Sequence, residues 1–261
     1  MKVSIITIVY NRKHCIEDCI KSVLNQTYPN IEHIIIDGNS TDGTQDEIEN
    51  YRDKLAFYIS EEDEGIFDAL NKGIKNSTGE IIGILNSDDF FYEPQTIEKI
   101  EAAFTNSRAD LIYAKGLFVD QKDPSKVKRI YPSKPFRKRY LMYGWIPLHT
   151  TIFVRKEIFR TYGLYKCGYK IASDYEISLR WFQNDDIKKF FLNEWVVKMR
   201  LGGLSTSPML QIRKSREDLS IIKLNRLKGY FTLACKIGRK IPQYLAPRLI
   251  KFDPIHSSKT I

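Results

Sequence analysis

The sequence predicts an α/β fold with a mostly parallel central sheet, and three observations support this prediction. Apolar runs of strand length alternate with segments whose apolar residues recur every three or four positions, the spacing of one helix face. Over residues 1–92 the order is β-α-β-α-β-α-β, which is typical of half of a doubly wound sheet. Polar loops follow the strands, at the edge where open α/β sheets bind their ligands.

The predicted elements divide the chain into a regular first half and a less regular second half. Strands are predicted at 3–9, 31–36, 56–60 and 81–85, with helices at 16–24, from Thr44 and at 66–76. Further on, helices are predicted at 94–105, at 156–161 and from Ala172, with strands at 110–115, 150–154 and 190–200. We therefore predict one domain over residues 1–205 and an appendage over residues 206–261.

The net charge of +9 is concentrated at the end of the chain. From Arg200 onward there are thirteen Lys and Arg against three acids, whereas residues 1–199 are close to neutral. Residues 220–241 show a helical apolar stripe flanked by basic residues, and Pro242 is expected to end this helix. Such a helix suits an anionic membrane surface, and packing on its own domain remains the alternative.

The composition argues against several classes of protein. No run approaches the roughly 18–20 apolar residues of a spanning helix, and residues 3–9 are interpreted as a first strand and not as a signal peptide. The four cysteines, at positions 15, 19, 167 and 235, form neither a disulfide framework nor a zinc spacing. We therefore expect a reducing, cytosolic location.

Two adjacent carboxylates, Asp88 and Asp89, follow the apolar run 81–85. Adjacent aspartates at the end of a buried strand repel each other unless a cation or hydrogen bonds compensate them. Oxygen ligands of this kind suit Mg²⁺ or Mn²⁺, which also hold phosphates. An Asx turn or a helix cap is the alternative, because Asn, Ser and Asp serve both purposes.

Four motifs occur in order along the chain, namely Ser4–Asn11, Ile36–Thr44, Ser60–Gly73 and Asn86–Asp89. Together they resemble those of family 2 glycosyltransferases of GT-A fold, most closely the bacterial branch that builds capsule, exopolysaccharide and lipopolysaccharide O-antigen. The resemblance covers residues 1–205. It implies a Rossmann-like sheet with a nucleotide-sugar-binding half (1–92), an acceptor-binding half (93–205) and a basic helical C-terminal extension.

The resemblance implies a nucleotide pocket at the ends of the first two strands. Thr7, Tyr10 and Asn11 would line this pocket, with the Tyr10 ring lying against the base. Asp37 would accept a hydrogen bond from the base, which suits the N3–H of uracil. A turn-forming role is the alternative for Asp37.

The same resemblance implies contacts to the sugar and the metal. Asp68 and Lys72, one helical turn apart, would meet ribose, sugar or phosphate, unless they form a surface ion pair. The last aspartate of the family's metal motif is the usual direct ligand, so Asp89 is predicted to bind Mn²⁺ or Mg²⁺ and Asp88 to contact ribose or donor sugar. Ser87 stands where many relatives have a third acid, which leaves the choice of metal open.

The family places its catalytic base where this chain has Asp174, with Glu176 as the reserve candidate. Inverting glycosyl transfer needs one carboxylate to take the proton of the acceptor hydroxyl. The alternative for Asp174 is a helix cap. His149 and Gly203 are further candidates for contacts to the diphosphate or the acceptor, although a lone histidine is more often structural.

The resemblance therefore predicts a metal-dependent, inverting enzyme that moves one sugar from a nucleotide-diphosphate donor, expected to be UDP-linked, to a glycan acceptor. The Gln-x-x-Arg-Trp motif of polymerising relatives is absent, which favours single transfer. The predicted acceptor is a polyprenyl-diphosphate-linked saccharide, which places the enzyme in the cytoplasm at the inner face of the plasma membrane. A non-catalytic nucleotide-sugar-binding scaffold is the competing class. No nucleic-acid partner is expected, and a nucleotidyltransferase would need a glycine-rich loop after the first strand.

Overall fold

The computed structural model describes residues 1–202 and 208–249, and these residues form a nine-stranded sheet with helices packed on it. The strands are β1 (Val3–Val9), β2 (Ile31–Asp37), β3 (Phe57–Ser60), β4 (Ile81–Ile84), β5 (Phe90–Phe91), β6 (Leu111–Val119), β7 (Val127–Tyr131), β8 (Ile152–Arg155) and β9 (Lys189–Arg200). The helices are α1 (Lys13–Leu24), α2 (Thr44–Glu49), α3 (Ile66–Asn76), α4 (Thr96–Ser107), α5 (Lys156–Tyr162), α6 (Ser173–Gln183), α7 (Pro208–Leu224), α8 (Gly229–Gly238) and α9 (Lys240–Leu249).

The strand order is β3-β2-β1-β4-β8-β6-β9-β5, with β7 paired to the outer part of β6. Strands β1 to β4, β6 and β9 all run in one direction, and β8 joins the two halves in the opposite direction. The prediction of an α/β fold with a mostly parallel sheet is confirmed. Since most of the parallel strands end at one edge, their following loops meet there.

The core lies on both faces of the sheet. Successive residues of β1 point to opposite faces, so Ile5 packs in the layer of α1 and Ile6 in the layer of α3. Gly73 allows α3 to approach closely, because a Cβ at this position would lie 2.4 Å from the Ile6 side chain. Burial on both faces explains why these strands are continuous apolar runs.

The basic appendage differs from the sequence prediction. A single helix over 220–241 is wrong: α7 ends at Leu224 and α8 begins at Gly229. Arg226 and Gly229 between them have left-handed backbones, with φ of 53° and 49°. Pro242 does not end a helix either, since it lies in the first turn of α9, where a missing N–H costs little.

The described part of the appendage packs on the rest of the chain. Ile221 and Ile222 of α7 are fully buried within the main apolar cluster. Helix α8 lies on the short 3₁₀ turn at 138–143, where Gly144 makes room: a Cβ there would lie 2.6 Å from that of Lys236. Helix α9 lies along β7. Whether residues 206–261 form a separate unit of folding stays a prediction.

Candidate active site

A cleft of about 950 Å³ opens beside the ends of β1, β4 and β9. Side chains from both halves of the sheet and from α7, α8 and α9 line it. Much of the predicted chemistry therefore faces one space. The predicted site residues in its lining are Tyr10, Asn11, Asp88, Asp89, His149 and Asp174.

The loop after β1 presents an exposed aromatic ring to this cleft. Tyr10 is 61% exposed, and Asn11 adopts a left-handed backbone with φ of 51°. The Asn11 backbone N–H donates to Ser40 Oγ at 2.8 Å, and its side-chain oxygen accepts from the Thr41 N–H at 2.9 Å. Asn11 thus ties this loop to the loop after β2 and leaves the Tyr10 ring free to receive a planar group.

Two predicted nucleotide contacts are buried outside the cleft lining. Asp37 has no exposed surface and accepts hydrogen bonds from the Ser40 N–H at 3.0 Å and from Ser60 Oγ at 2.5 Å. These are the contacts of the turn-forming alternative. Thr7 faces α1 and bonds His33 Nε2 at 2.9 Å, because it shares a strand face with Ile5 and not with Ile8 of the cleft wall.

Asp68 and Lys72 form the ion pair that was the alternative prediction. Lys72 Nζ lies 3.4 Å from Asp68 Oδ2 and 2.7 Å from Glu61 Oε1, and it donates to the Glu62 carbonyl at 3.0 Å. The hydrogen bond to Glu61 raises the pKa of Lys72. Neither residue lines the cleft, and these contacts tie the loop before α3 to that helix, so a contact of either residue with the donor stays a prediction.

Asp88 and Asp89 lie at the floor of the cleft, and only Asp89 is fully buried. Asp89 Oδ2 accepts from Asn86 Nδ2 at 2.9 Å, and Oδ1 accepts from the Arg200 backbone N–H at 3.1 Å. The Arg200 guanidinium donates to the Asp88 carbonyl at 3.0 Å and pairs with Asp18. Asn86, which follows β4, and Arg200, which ends β9, therefore hold this acidic pair in place from the two halves of the sheet.

The protein only partly compensates the negative charge of the Asp88–Asp89 pair. Burial, and then the charge of Asp88, raise the pKa of Asp89 well above its ordinary value, and burial raises the pKa of Asp88. Nearby cations such as Arg200 oppose these shifts without cancelling them. A bound cation would relieve the repulsion, and the oxygen donors suit a hard divalent ion.

Within residues 1–202 and 208–249, no three His, Cys, Asp or Glu side chains cluster in a way that would enclose a metal. One or two carboxylates are nevertheless the usual protein contribution where the ion also holds phosphates and water. The acidic pair therefore fits a divalent cation that shares its coordination with a bound ligand.

Asp174 faces the cleft from the first turn of α6 and does not form the cap of that helix. Its Oδ1 accepts from the Tyr175 N–H at 2.8 Å, and its Oδ2 lies 3.5 Å from His149 Nδ1. Burial raises the pKa of Asp174, but Lys214, His149 and Lys236 outweigh burial and lower it overall. Asp174 is therefore ionised at neutral pH and available as a proton acceptor.

His149 is neutral at pH 7, because burial and Lys214 lower its pKa more than Asp174 raises it. Glu176, the reserve candidate, is turned away from the cleft. Its carboxylate pairs with Lys166 and Arg180, each at 2.6 Å. Gly203 lies outside the described residues.

The structure also reveals site residues that the sequence reasoning missed. Lys214 of α7 and Lys236 of α8 line the cleft beside Asp174. Glu217 of α7 accepts the backbone N–H groups of residues 170, 171 and 172 at 3.1, 2.9 and 3.0 Å, which fixes the loop before α6. Arg200 could have been noticed as a basic residue at a predicted strand end. Nothing in the sequence around Lys214, Glu217 and Lys236 indicates that these residues lie near Asp174.

The fold is that of an α/β protein with its cleft at the strand ends, and comparison with known proteins identifies its family. Residues 4–163 match the family described as Glycosyl transferase family 2, and the chain belongs to this family. An uncharacterized glycosyltransferase of Rickettsia prowazekii is 31% identical over 225 residues, 83% of this chain and 70% of the relative. A PGL/p-HBAD biosynthesis glycosyltransferase of Mycobacterium bovis is 28% identical over 210 residues, 78% of this chain and 79% of the relative.

Solved structures share the fold at low sequence identity. Staphylococcus aureus TarS 1-349 in complex with UDP-GlcNAc has a TM-score of 0.66 at 17% identity, covering 94% of this chain and 73% of that one. The mannosyltransferase PcManGT of Pyrobaculum calidifontis, in complex with GDP-Man and Mn²⁺, has a TM-score of 0.67 at 17% identity and the same two coverages. The likeness confirms the GT-A type of fold.

Proposed function

We propose that this protein is an inverting, metal-dependent glycosyltransferase that transfers one sugar from a nucleotide-diphosphate donor, UDP-linked by preference, to a glycan acceptor of a bacterial surface polysaccharide. The observation that carries the proposal is the meeting of three features in one cleft. These are the Tyr10 ring, the Asp88–Asp89 pair and the ionised Asp174. The Tyr10 ring would hold the nucleotide base, the acidic pair would hold the diphosphate, and Asp174 would hold the acceptor hydroxyl.

Asp174 acts as the general base in this proposal. It takes the proton of the acceptor hydroxyl, the acceptor oxygen bonds to the anomeric carbon, and the bond from that carbon to the diphosphate breaks on the opposite face. The lowered pKa of Asp174 keeps the base ionised. Neutral His149, 3.5 Å from Asp174, orients the carboxylate. No protein nucleophile is needed, because one displacement inverts the configuration.

Asp89 is the proposed protein ligand of Mn²⁺ or Mg²⁺, and Asp88 the contact to ribose or donor sugar. When bound, the metal supplies positive charge to the leaving diphosphate. Asn86 and the Arg200 N–H orient the two Asp89 oxygens, at 2.9 and 3.1 Å. The complexes of TarS with UDP-GlcNAc and of PcManGT with GDP-Man and Mn²⁺ support this use of the fold.

The test of the proposal is donor hydrolysis by the purified chain across UDP-, GDP- and dTDP-sugars, with Mn²⁺, Mg²⁺ or chelator. Slow, metal-dependent release of one nucleoside diphosphate, lost in Asp89→Asn, is the expected result and identifies the donor. Asp174→Asn should retain donor binding and lose transfer by about 10²–10⁴-fold. Tight nucleotide-sugar binding with no turnover under any condition would instead support the scaffold alternative.

The acceptor is proposed to be a lipid-linked saccharide reached from the cytoplasmic face of the membrane. In the described ranges no helix has the length and apolar character to cross a bilayer. Contact with the membrane surface would come from the connection between α7 and α8, where Leu224 is 71%, Tyr230 70% and Phe231 48% exposed. Lys223 and Lys228 lie over the two aromatic rings. Apolar side chains beside lysines favour an anionic interface.

Vesicle flotation tests the membrane contact. Tyr230→Ser with Phe231→Ser should reduce flotation with anionic vesicles, and the matched variant Phe190→Ser, at a 40% exposed site on β9, should not. Equal flotation of all three proteins would exclude this surface. Deleting residues 206–261 is a poor test, because it would also remove Ile221 and Ile222 from the core.

A further inference from the structure

The side of the cleft that holds Asp174 carries an excess of positive charge. Its cations come from the appendage and from β7, and the only carboxylates among the lining residues of this side are Asp174 and Asp218. Lys236, Arg239 and Lys240, which belong to the basic stripe that suggested a membrane surface, thus line the cleft instead. The cations of this side are Arg129, Lys214, Lys236, Arg239 and Lys240.

Few of these cations have an anionic partner within the described residues. Lys236 Nζ lies 2.7 Å from Asp218 Oδ1, and Arg129 donates to the Gln243 side-chain oxygen at 2.8 Å. Lys214, Arg239 and Lys240 form no ion pair with any described side chain. The appendage therefore brings together several cations that repel one another.

Burial and the repulsion among these groups lower the pKa values of Lys236 and Lys240. Burial lowers the pKa of Lys240, and Lys214 and Arg129 lower it further. Burial lowers the pKa of Lys236 to about 8, with Lys214 adding to the effect. Gathering half-buried cations costs stability unless an anion is bound among them.

A buried hydroxyl also faces this group of cations. Tyr175 lines the cleft at 4% exposure, and among described atoms its hydroxyl has no hydrogen-bond partner. Lys236 Nζ lies 3.2 Å from the centre of its ring. An unsatisfied buried hydroxyl is uncommon in folded proteins, and a ligand that accepts its hydrogen bond would satisfy it.

We infer that Lys214, Lys236 and Lys240 bind a phosphate or diphosphate group carried by the acceptor, close to the hydroxyl that Asp174 deprotonates. The inference rests on the proposed function and adds the residues that would hold the phosphate of the acceptor. Lys214 and Lys236 act electrostatically on Asp174, which places the anion beside the base. The donor diphosphate belongs to the Asp88–Asp89 side of the cleft, so two anions would be bound at opposite sides of the reacting carbon.

The phosphate could belong to a prenyl lipid or to a soluble sugar phosphate. The side chains at the margin of the cleft favour the prenyl lipid. Ile237 and Tyr244 line the cleft and are 49% and 42% exposed. Apolar side chains at the margin of a cationic pocket suit a lipid chain that leaves its phosphate inside.

The experiment is calorimetric titration of the full chain, without donor and with chelator, using farnesyl phosphate and glucose 1-phosphate as probes. Both carry the phosphate, and only the first carries a prenyl chain. We expect micromolar to millimolar binding of at least one probe, with about tenfold weaker affinity in Lys214→Met and in Lys240→Met, since a hydrogen bond to a charged group is worth about 1.5–3 kcal/mol. Tighter binding of farnesyl phosphate identifies the lipid source, and equal binding the soluble one.

The controls separate a lost contact from a damaged fold. Lys214→Arg should keep the affinity, and Arg216→Met, at an exposed position of the same helix outside the cleft lining, should behave as the unchanged chain. Binding of neither probe, equal affinity in all variants, or loss of binding in Asp89→Asn would each overturn the inference. Titration with UDP and Mn²⁺ tests the donor site separately, so failure of the proposed function is distinguishable from failure of the anion site.

Discussion

At the scale of single residues, the adjacent charges of Asp88 and Asp89 lower the stability of the fold and provide the proposed metal site. Asp89 is 1% exposed beside a second carboxylate, and burial together with Asp88 raises its pKa. A structural role alone would be served better by an uncharged side chain. Groups held in an unfavourable ionisation environment are frequently those that perform the chemistry.

We therefore predict that Asp89→Asn stabilises the metal-free chain while abolishing metal-dependent donor hydrolysis. The new amide oxygen can accept from the Arg200 N–H, and its NH₂ can donate to a reoriented Asn86, so both present hydrogen bonds are replaced. In a chain of this size each kcal/mol gained raises the unfolding midpoint by about 2–4 °C. Thermal melts in chelator check the first part, and a lower midpoint would contradict it.

The titration of Lys236 gives a second prediction at this scale. Its neighbours are Asp218 and Lys214 from α7, with Asp174 and the Tyr175 ring from α6. Its pKa of about 8 means that it loses its proton, and its attraction for an anion, as the pH rises through 8.

Affinity for glucose 1-phosphate should accordingly change little between pH 7 and 7.5 and fall above pH 8 by about tenfold in all, the loss expected for one lysine. The probe itself is already a dianion in this range, because a phosphate monoester has its second pKa near 6. Lys236→Arg stays protonated and should remove the decline. An unchanged decline in that variant would assign the pH dependence to another group.

At the scale of elements, α7 supports the loop that leads to Asp174, the proposed general base. Glu217 accepts hydrogen bonds from three consecutive backbone N–H groups of residues 170–172, immediately before the helix that carries Asp174. A carboxylate that accepts several backbone N–H groups fixes the path of the chain, and here it joins the appendage to the helix of Asp174.

Replacing this support should affect turnover more than donor binding. Glu217→Ala leaves three N–H groups without their acceptor, and we expect a loss of about 1–3 kcal/mol in unfolding free energy together with a lower kcat at nearly unchanged donor KM. Arg213→Ala is the matched control, because Arg213 lies 3.4 Å from the same carboxylate but is 57% exposed. Equal effects of the two variants would refute the supporting role of Glu217.

At the scale of the whole molecule, the sequence predicted what depends on local pattern. The strand ends that carry Asp88–Asp89 and Tyr10–Asn11 follow apolar runs, and their meeting follows from parallel topology. The sequence could not show that Thr7 lies outside the cleft lining, because a strand buried on both faces has no polar alternation to indicate which side faces the cleft. Lys214 and Lys236 escaped notice because only tertiary docking of the appendage brings them to Asp174.

That docking leads to a last prediction, that the described appendage and the sheet unfold together. Ile222 is fully buried in the main apolar cluster, whereas Leu224, two residues further, is 71% exposed. Ile222→Ala should cost about 2–5 kcal/mol, as for other large-to-small core substitutions. Leu224→Ala should cost little.

The amides of β1 and β2 report on the sheet, and those of α7 and α8 report on the appendage, so hydrogen exchange read by mass spectrometry distinguishes the two parts. In a single cooperative unit, Ile222→Ala increases the exchange of both sets of amides by the same amount. Faster exchange of the α7 and α8 amides with unchanged exchange in β1 and β2 would instead show that the appendage folds separately. In the cooperative case, the Asp174 site exists only while the appendage is docked, because Lys214, Glu217 and Lys236 all belong to it.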